Sequence, residues 1–159
     1  MKQNDWFINW FDSHYYHLLY KNRNDKEARA FINKLIEDIN LANNSTVLDL
    51  GCGKGRHSFE LNKKYEKVIG IDLSIESIKE AKKTPANGLS FIVQDMRKFQ
   101  LKEKVNGIFN LFTSFGYFET IEDNIKVLQQ CNKYLKKDGL LIIDFFNAYK
   151  VKSTLIEEE

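Results

Sequence analysis

Proline is nearly absent from this chain of 159 residues; Pro85 is the only one. No stretch rich in proline, glycine or serine separates two halves, so the length reads as one domain with enough chain for a real core. Cysteine is scarce too. Cys52 and Cys131 make neither a disulfide framework nor a metal-ligand cluster, and both read as reduced and structural. No run is apolar enough to cross a bilayer. The first ten residues, Met1 to Trp10, mix Lys2 and Asp5 with aromatics and have no apolar core or cleavage signal, so the chain is expected in the cytoplasm. Charge of one sign is also lacking: 24 basic against 22 acidic residues leave a net charge of +2. The lysine pairs 63–64, 82–83 and 136–137 read as solvated helix ends, so a nucleic-acid partner is not expected.

What the chain does have is alternation. An aromatic stretch runs from Trp6 to Tyr20. Ala28, Phe31, Ile32, Leu35, Ile36 and Ile39 then recur at spacings of three and four, which predicts an amphipathic helix that Asn24 or Asp25 can cap. From Thr46 short apolar runs predict strands at Val47–Leu50, Lys67–Ile71, Leu89–Val93, Gly107–Phe112 and Leu140–Phe146. Between them lie a helix with Phe59, Leu61 and Tyr65, and a second with Ile75, Ile78 and Ala81, capped by Ser74 and ended before Pro85. A third bears Ile121, Ile125, Leu128 and Leu135, capped by Thr120 with Asp123 and ended by Gly139. Strands alternating with helices imply right-handed crossovers and a parallel sheet. Ligands of such sheets bind beyond the carboxyl ends of the strands, where the polar and glycine residues of this chain collect.

The densest signal is Asp49-Leu50-Gly51-Cys52-Gly53-Lys54-Gly55-Arg56. Glycines after an apolar strand let backbone approach a ligand, and the following helix start offers free N–H groups. A phosphate-binding P-loop would need Gly-Lys-Ser/Thr, which Gly53-Lys54-Gly55 does not supply. A dinucleotide fingerprint counted from Gly51 would need a small residue where Arg56 stands. Asp72 ends the second strand roughly 20 residues on, the position from which an acid accepts from ribose hydroxyls. It could instead cap the next helix, though Ser74 is the better cap. Asp95 ends the third strand; as a plain turn residue it would serve only the backbone before Arg97.

The order acid, three glycines, acid, acid at successive strand ends resembles class I S-adenosylmethionine-dependent methyltransferases of the small-molecule type. The resemblance spans roughly Asp5 to Asn147 and is strong over Val47 to Asp95. It implies a Rossmann-like α/β fold, a doubly wound and mainly parallel sheet of order 3-2-1-4-5. Residues 1–45 would form a helical lead-in and lid, 46–148 the cofactor-binding core and 149–159 a tail. It implies cofactor contacts from Asp49, Gly51, Gly53, Gly55, Asp72, Leu73, Asp95, Met96 and Phe112. Asp72 would take the ribose and Asp95 the adenine amino group, with Leu73 and Met96 packed against the adenine.

Tyr15 and Tyr16 are the lid candidates, with Ser114 and Tyr117 toward the acceptor, and no metal is implied. The Asp/Asn-Pro-Pro-aromatic sequence of many amino-methylating members is missing from Asn110-Leu111-Phe112-Thr113, so nucleobase or glutamine-amide methylation is not supported. The implied activity is methyl transfer to a small molecule. The alternatives are a non-catalytic module that binds S-adenosylmethionine or S-adenosylhomocysteine, and a nicotinamide-dependent oxidoreductase fragment. The final hairpin of the seven-stranded fold has no counterpart in Tyr149 to Glu159, which predicts a bare fifth strand open to self-association.

Overall fold

Strands with apolar runs, five or six residues long in the first four and nine in the last, build the sheet of this protein in a computed structural model. The structure describes residues 6–11, 13–19 and 25–155; within these the side chains of Ile8, Asn9, His14, Tyr16 and His17 are not described. Asn24 and the Tyr16 and histidine side chains named above therefore lie outside the described residues. The strands are β1 (Thr46–Leu50), β2 (Lys67–Asp72), β3 (Leu89–Val93), β4 (Val105–Asn110) and β5 (Leu135–Ile143). All pair in parallel in the order β3-β2-β1-β4-β5. This is the expected topology, with the expected edge strands.

The two-residue period of β1 divides the core. Leu48 and Leu50 face one side, with Phe99, Ile108, Val127 and Cys131. Val47 faces the other, with Ile32, Leu61 and Phe109. Helices α3 (Asp25–Glu37) and α4 (Arg56–Asn62) cover this second side, and α6 (Ile121–Tyr134) covers the first. Helix α5 (Ile75–Ala81) begins at Ser74, whose hydroxyl accepts from Ser77 N at 3.0 Å; its Ile78 and Ala81 pack on Phe91. Two short aromatic helices, α1 (Trp6–Phe11) and α2 (His14–Leu19), precede this core, and α7 (Ala148–Thr154) follows it.

Three expectations fail in the second half. Thr120 caps α6 as predicted, accepting from Asp123 N at 3.1 Å, but the helix turns a different stripe inward. Asp123, Val127 and Cys131 are buried, whereas Ile121, Ile125 and Leu128 are exposed. Val127 and Cys131 pack in the core on that face, and Asp123 reaches Arg97 from it. Next, α6 stops at Tyr134, and Leu135 already belongs to β5. Gly139 therefore ends no helix. It sits in a bulge where β5 advances from Leu135 to Leu140 while β4 advances only from Val105 to Gly107. A Cβ at Gly139 would lie 3.0 Å from Lys136 O and 3.1 Å from Asn106 O, so the strands meet too closely there for a side chain. Finally, β4 and β5 end at Asn110 and Ile143, short of Phe112 and Phe146. Asp144 still donates its N–H to Asn110 O at 2.9 Å and also holds the loop after β4. Its carboxylate accepts from Phe112 N at 2.9 Å and its carbonyl from Thr113 N at 3.2 Å. Those bonds support two non-glycine residues with positive φ, Phe112 at 57° and Thr113 at 56°.

Candidate functional site

The β1–α4 loop turns by hydrogen-bonding to the neighbouring strand: Gly51 N and Cys52 N both donate to Ile71 O, at 2.8 and 3.0 Å. Its three glycines answer to three different constraints. At Gly51 a Cβ would come within 2.8 Å of Ser114 Cβ, so the loop packs tightly on the β4 side. At Gly55, which precedes α4 with φ 83°, a Cβ would strike the Phe91 ring at 2.6 Å. Gly53 (φ 53°) differs, because a Cβ there would meet nothing within 4 Å. The space it leaves is part of a cleft of about 650 Å³ at the carboxyl ends of the strands, within the range of small-molecule sites.

The cleft gathers residues from six segments. Gly51 and Gly53, Asp72 and Leu73, Asp95 and Met96, and Phe112, Ser114 and Tyr117 all line it, as the sequence led us to expect. Asp49 and Gly55 do not line it, and neither does Tyr15, which is 74% exposed. The cover comes instead from α1, through Phe7, Trp10 and Phe11. Phe7 stands edge-on to Phe118 at 5.4 Å and Phe11 edge-on to Tyr117 at 5.1 Å, so ring contacts seat α1 on the loop after β4. The aromatic stretch was visible in the sequence. Which of its rings turn inward was not, because six-residue helices carry too little periodicity to fix a face.

Asp72 is held in place from two directions. Its Oδ2 accepts from Gly53 N at 2.7 Å and its Oδ1 from Ser74 N at 2.8 Å. Asp49 points the other way. On the Val47 face of β1 it meets α4, where Ser58 donates to its Oδ2 at 2.5 Å in a buried setting. Burial pushes its carboxyl up to about 7, against the Ser58 hydrogen bond and with help from the charge of Asp72. It braces the loop from behind and does not touch the cleft.

His57, which lines the cleft beside Arg56, is kept uncharged. Burial, and then the Arg56 charge, lower its pKa to about 4. Asn110, buried at the end of β4, donates to Leu50 O at 2.7 Å and ties β1 to β4 just below the glycines. The third acid, Asp95, lines the cleft while paired with Arg97. Arg97, Asp144, Ser58 and Asn110 are the supporting residues that sequence reasoning missed. Asp144 and Asn110 act through contacts 32 and 60 positions apart, and Arg97 joins its neighbour Asp95 to Asp123, 26 positions away.

The cleft is bounded by apolar rings, main-chain groups and the carboxylates of Asp72 and Asp95. Among the described residues no group of three or more His, Cys, Asp or Glu side chains is placed to hold a metal ion. Such a site can align and desolvate reactants.

Comparison with known proteins agrees with this geometry. A family model described as a methyltransferase domain matches residues 41–159. Phosphoethanolamine N-methyltransferase of Plasmodium falciparum is 32% identical over 118 residues, covering 72% of this chain and 44% of that protein. The dTDP-3-amino-3,4,6-trideoxy-alpha-D-glucopyranose N,N-dimethyltransferase of Streptomyces venezuelae is 27% identical over 100 residues, covering 63% of this chain and 42% of that protein. Among solved structures, an S-adenosylmethionine-dependent methyltransferase from Clostridium acetobutylicum superposes with a TM-score of 0.73 at 26% identity, over 92% of this chain and 61% of that one. The chain spans about half the length of the curated relatives it matches. With five parallel strands in the order 3-2-1-4-5 and a glycine loop at their carboxyl ends, it belongs to the methyltransferase domain family, in the class I, S-adenosylmethionine-dependent group.

Proposed function

We propose that this protein binds S-adenosylmethionine in the cleft and directs its methyl group to a small-molecule acceptor. The observation that carries this reading is the meeting of Gly53 and Asp72. The Gly53 amide donates to the Asp72 carboxylate at 2.7 Å, and open space lies where a Gly53 side chain would be. Asp72 is thus pre-set to accept from the paired hydroxyls of a ribose, and the Gly51–Gly53 backbone to run beside the methionine end. Leu73 and Met96 would flank the adenine, and Asp95 would accept from its amino group.

The bound cofactor supplies an electrophilic methyl group on a sulfonium with a good leaving group. The chain's part is alignment and exclusion of water, which α1 and the rings of Phe112 and Tyr117 are suited to provide. Ser114 and Tyr117 would face the acceptor. Relatives that act on amino sugars and phosphoethanolamine support a small acceptor. Residues 1–45 would serve as the lid segment, 46–148 as the binding core and 149–159 as the tail. No helix among the described residues is long and apolar enough to cross a membrane, which accords with action in the cytoplasm.

Isothermal titration with S-adenosylhomocysteine tests the reading. We expect the wild type to bind, and Asp72→Ala to bind at least about tenfold more weakly, as loss of a charged acceptor predicts. No heat from the wild type would end the cofactor assignment; equal affinity in the variant would remove Asp72 from the site. A methyl-transfer assay on a panel of small amines and alcohols then separates an enzyme from a binding module. β5 pairs only with β4 among the described residues and carries half-exposed Leu140 and Ile143. Self-association through that edge belongs to the same reading, and sedimentation as an ideal monomer would refute it.

A further inference from the structure

Asp95 is the most heavily engaged carboxylate at the cleft. Its Oδ1 accepts from Arg97 N at 2.8 Å and from Arg97 Nε at 3.1 Å. Its Oδ2 accepts from Nη2 of the same arginine at 2.7 Å and from Nε at 3.0 Å. An ionised carboxylate offers about four acceptor positions. Counting the shared Nε once, Arg97 fills both positions on Oδ1 and one on Oδ2. Arg97 is itself anchored on both sides: Nη1 donates to Asp123 Oδ2 at 3.1 Å, behind the cleft, and the guanidinium lies 4.6 Å from the centre of the Phe118 ring, which lines it. Asp123 is buried, and Lys126, then Arg97, hold its carboxyl below the usual carboxylate range. Asp123 lies on the inward stripe of α6 with Val127 and Cys131, and pairs with Arg97 across the packing and with Lys126 within the helix.

We infer that Arg97 is a positioning residue for ligand selectivity: it orients Asp95 and leaves it one acceptor position, which makes the cleft discriminate for a purine that carries a 6-amino donor. The inference rests on the proposed adenosyl ligand and assigns its selectivity to a side chain outside the glycine loop. A planar fork with two anchors is what sets the carboxylate plane. Lysine would supply the charge without the fork. The same guanidinium lies against Phe118, on which Phe7 of α1 stands, so one side chain serves both the purine end and the seat of the cover.

The test compares binding of S-adenosylhomocysteine with that of its 6-deamino analogue, in which hydrogen replaces the exocyclic amine. We expect the wild type to prefer the amino compound by roughly tenfold, the worth of one hydrogen bond to a charged acceptor. In Arg97→Met the preference should fall to about twofold or less, because a carboxylate without its fork no longer holds one orientation. Arg97→Lys should not restore it, whereas Asp72→Ala should weaken both ligands and leave the ratio intact. A merely structural arginine would weaken both ligands equally, so an unmoved ratio in folded Arg97→Met overturns the inference, as does a wild-type ratio near one. Should Arg97→Met fail to fold, Asp123→Ala removes the anchor behind Arg97 along with the exposed Lys126 pair, and a ratio unchanged there is equally fatal. Wild type silent toward S-adenosylhomocysteine removes the cofactor reading as well; binding with an unmoved ratio removes only the role of Arg97.

Discussion

Replacing Asp49 by asparagine should make the protein progressively more stable than the wild type as pH rises. Asp49 is 1% exposed, and its carboxyl holds its proton up to about 7 in the folded protein. In the unfolded chain it ionises near 3.9, as any aspartate does. Below that value both states carry the proton and the group is neutral with respect to folding. As pH rises past it the unfolded chain releases its proton while the folded chain does not, so stability falls. Above about 7 both states are ionised and the whole cost is present. The gap between the two pKa values corresponds to about 4 kcal/mol.

His57 works in the opposite sense. Its folded pKa of about 4 lies below the ordinary histidine value, so the stability it contributes is present at neutral pH and is lost as pH falls toward 4. The two slopes overlap and partly cancel in the wild type. The measurement is therefore the difference between Asp49→Asn and wild type, from urea unfolding at several points between about pH 4 and about pH 8. Circular dichroism is the proper signal, since both tryptophans sit in α1 and report on the cover. The difference should grow across the window toward a few kcal/mol and level off above about pH 7. A difference flat to within about 0.5 kcal/mol would show that Asp49 ionises normally and that its burial against Ser58 is not as drawn.

Two further outcomes separate the roles assigned above. Gly53→Val should abolish binding of S-adenosylhomocysteine at a folding cost of about 1–2 kcal/mol for a β-branched residue at positive φ, whereas Gly55→Ala should cost folding at least as much through its clash with Phe91 and weaken binding less. Titration beside urea midpoints checks both, and normal binding by Gly53→Val would reduce that glycine to a turn residue. Because Trp10 lines the cleft and Trp6 contacts Tyr117, S-adenosylhomocysteine should change the intrinsic fluorescence. The change should shrink in Phe7→Ala; an unaltered signal would mean that α1 does not cover the ligand.

Local chemistry was enough to read much of this protein. Strand β3 falls on Leu89–Val93 as its apolar run predicts, Ser74 and Thr120 cap the helices they precede, and strands alternating with helices form the parallel sheet that alternation predicts. Gly51, Gly53, Asp72 and Asp95 reach one cleft because parallel strands bring their carboxyl ends together. These features are set by neighbours in the chain, so a linear pattern carries them. Other features depend on packing between distant segments. Asp49 and Gly55 fit a ligand-binding spacing, yet the pleat of β1 aims Asp49 at Ser58 and Phe91 fills the space beside Gly55. The apolar spacing of α6 points to Ile121, Ile125 and Leu128, yet packing against the sheet buries Val127 and Cys131, and Asp123 beside them meets Arg97, 26 positions away. Gly139 looks like a helix stop, but pairing with β4 makes it a bulge. Rings of α1 line the cleft while Tyr15 of α2 is exposed, because Tyr117 and Phe118 offer rings where α1 lies. Periodicity records which residues can be apolar neighbours; only the assembled sheet decides which neighbours they meet.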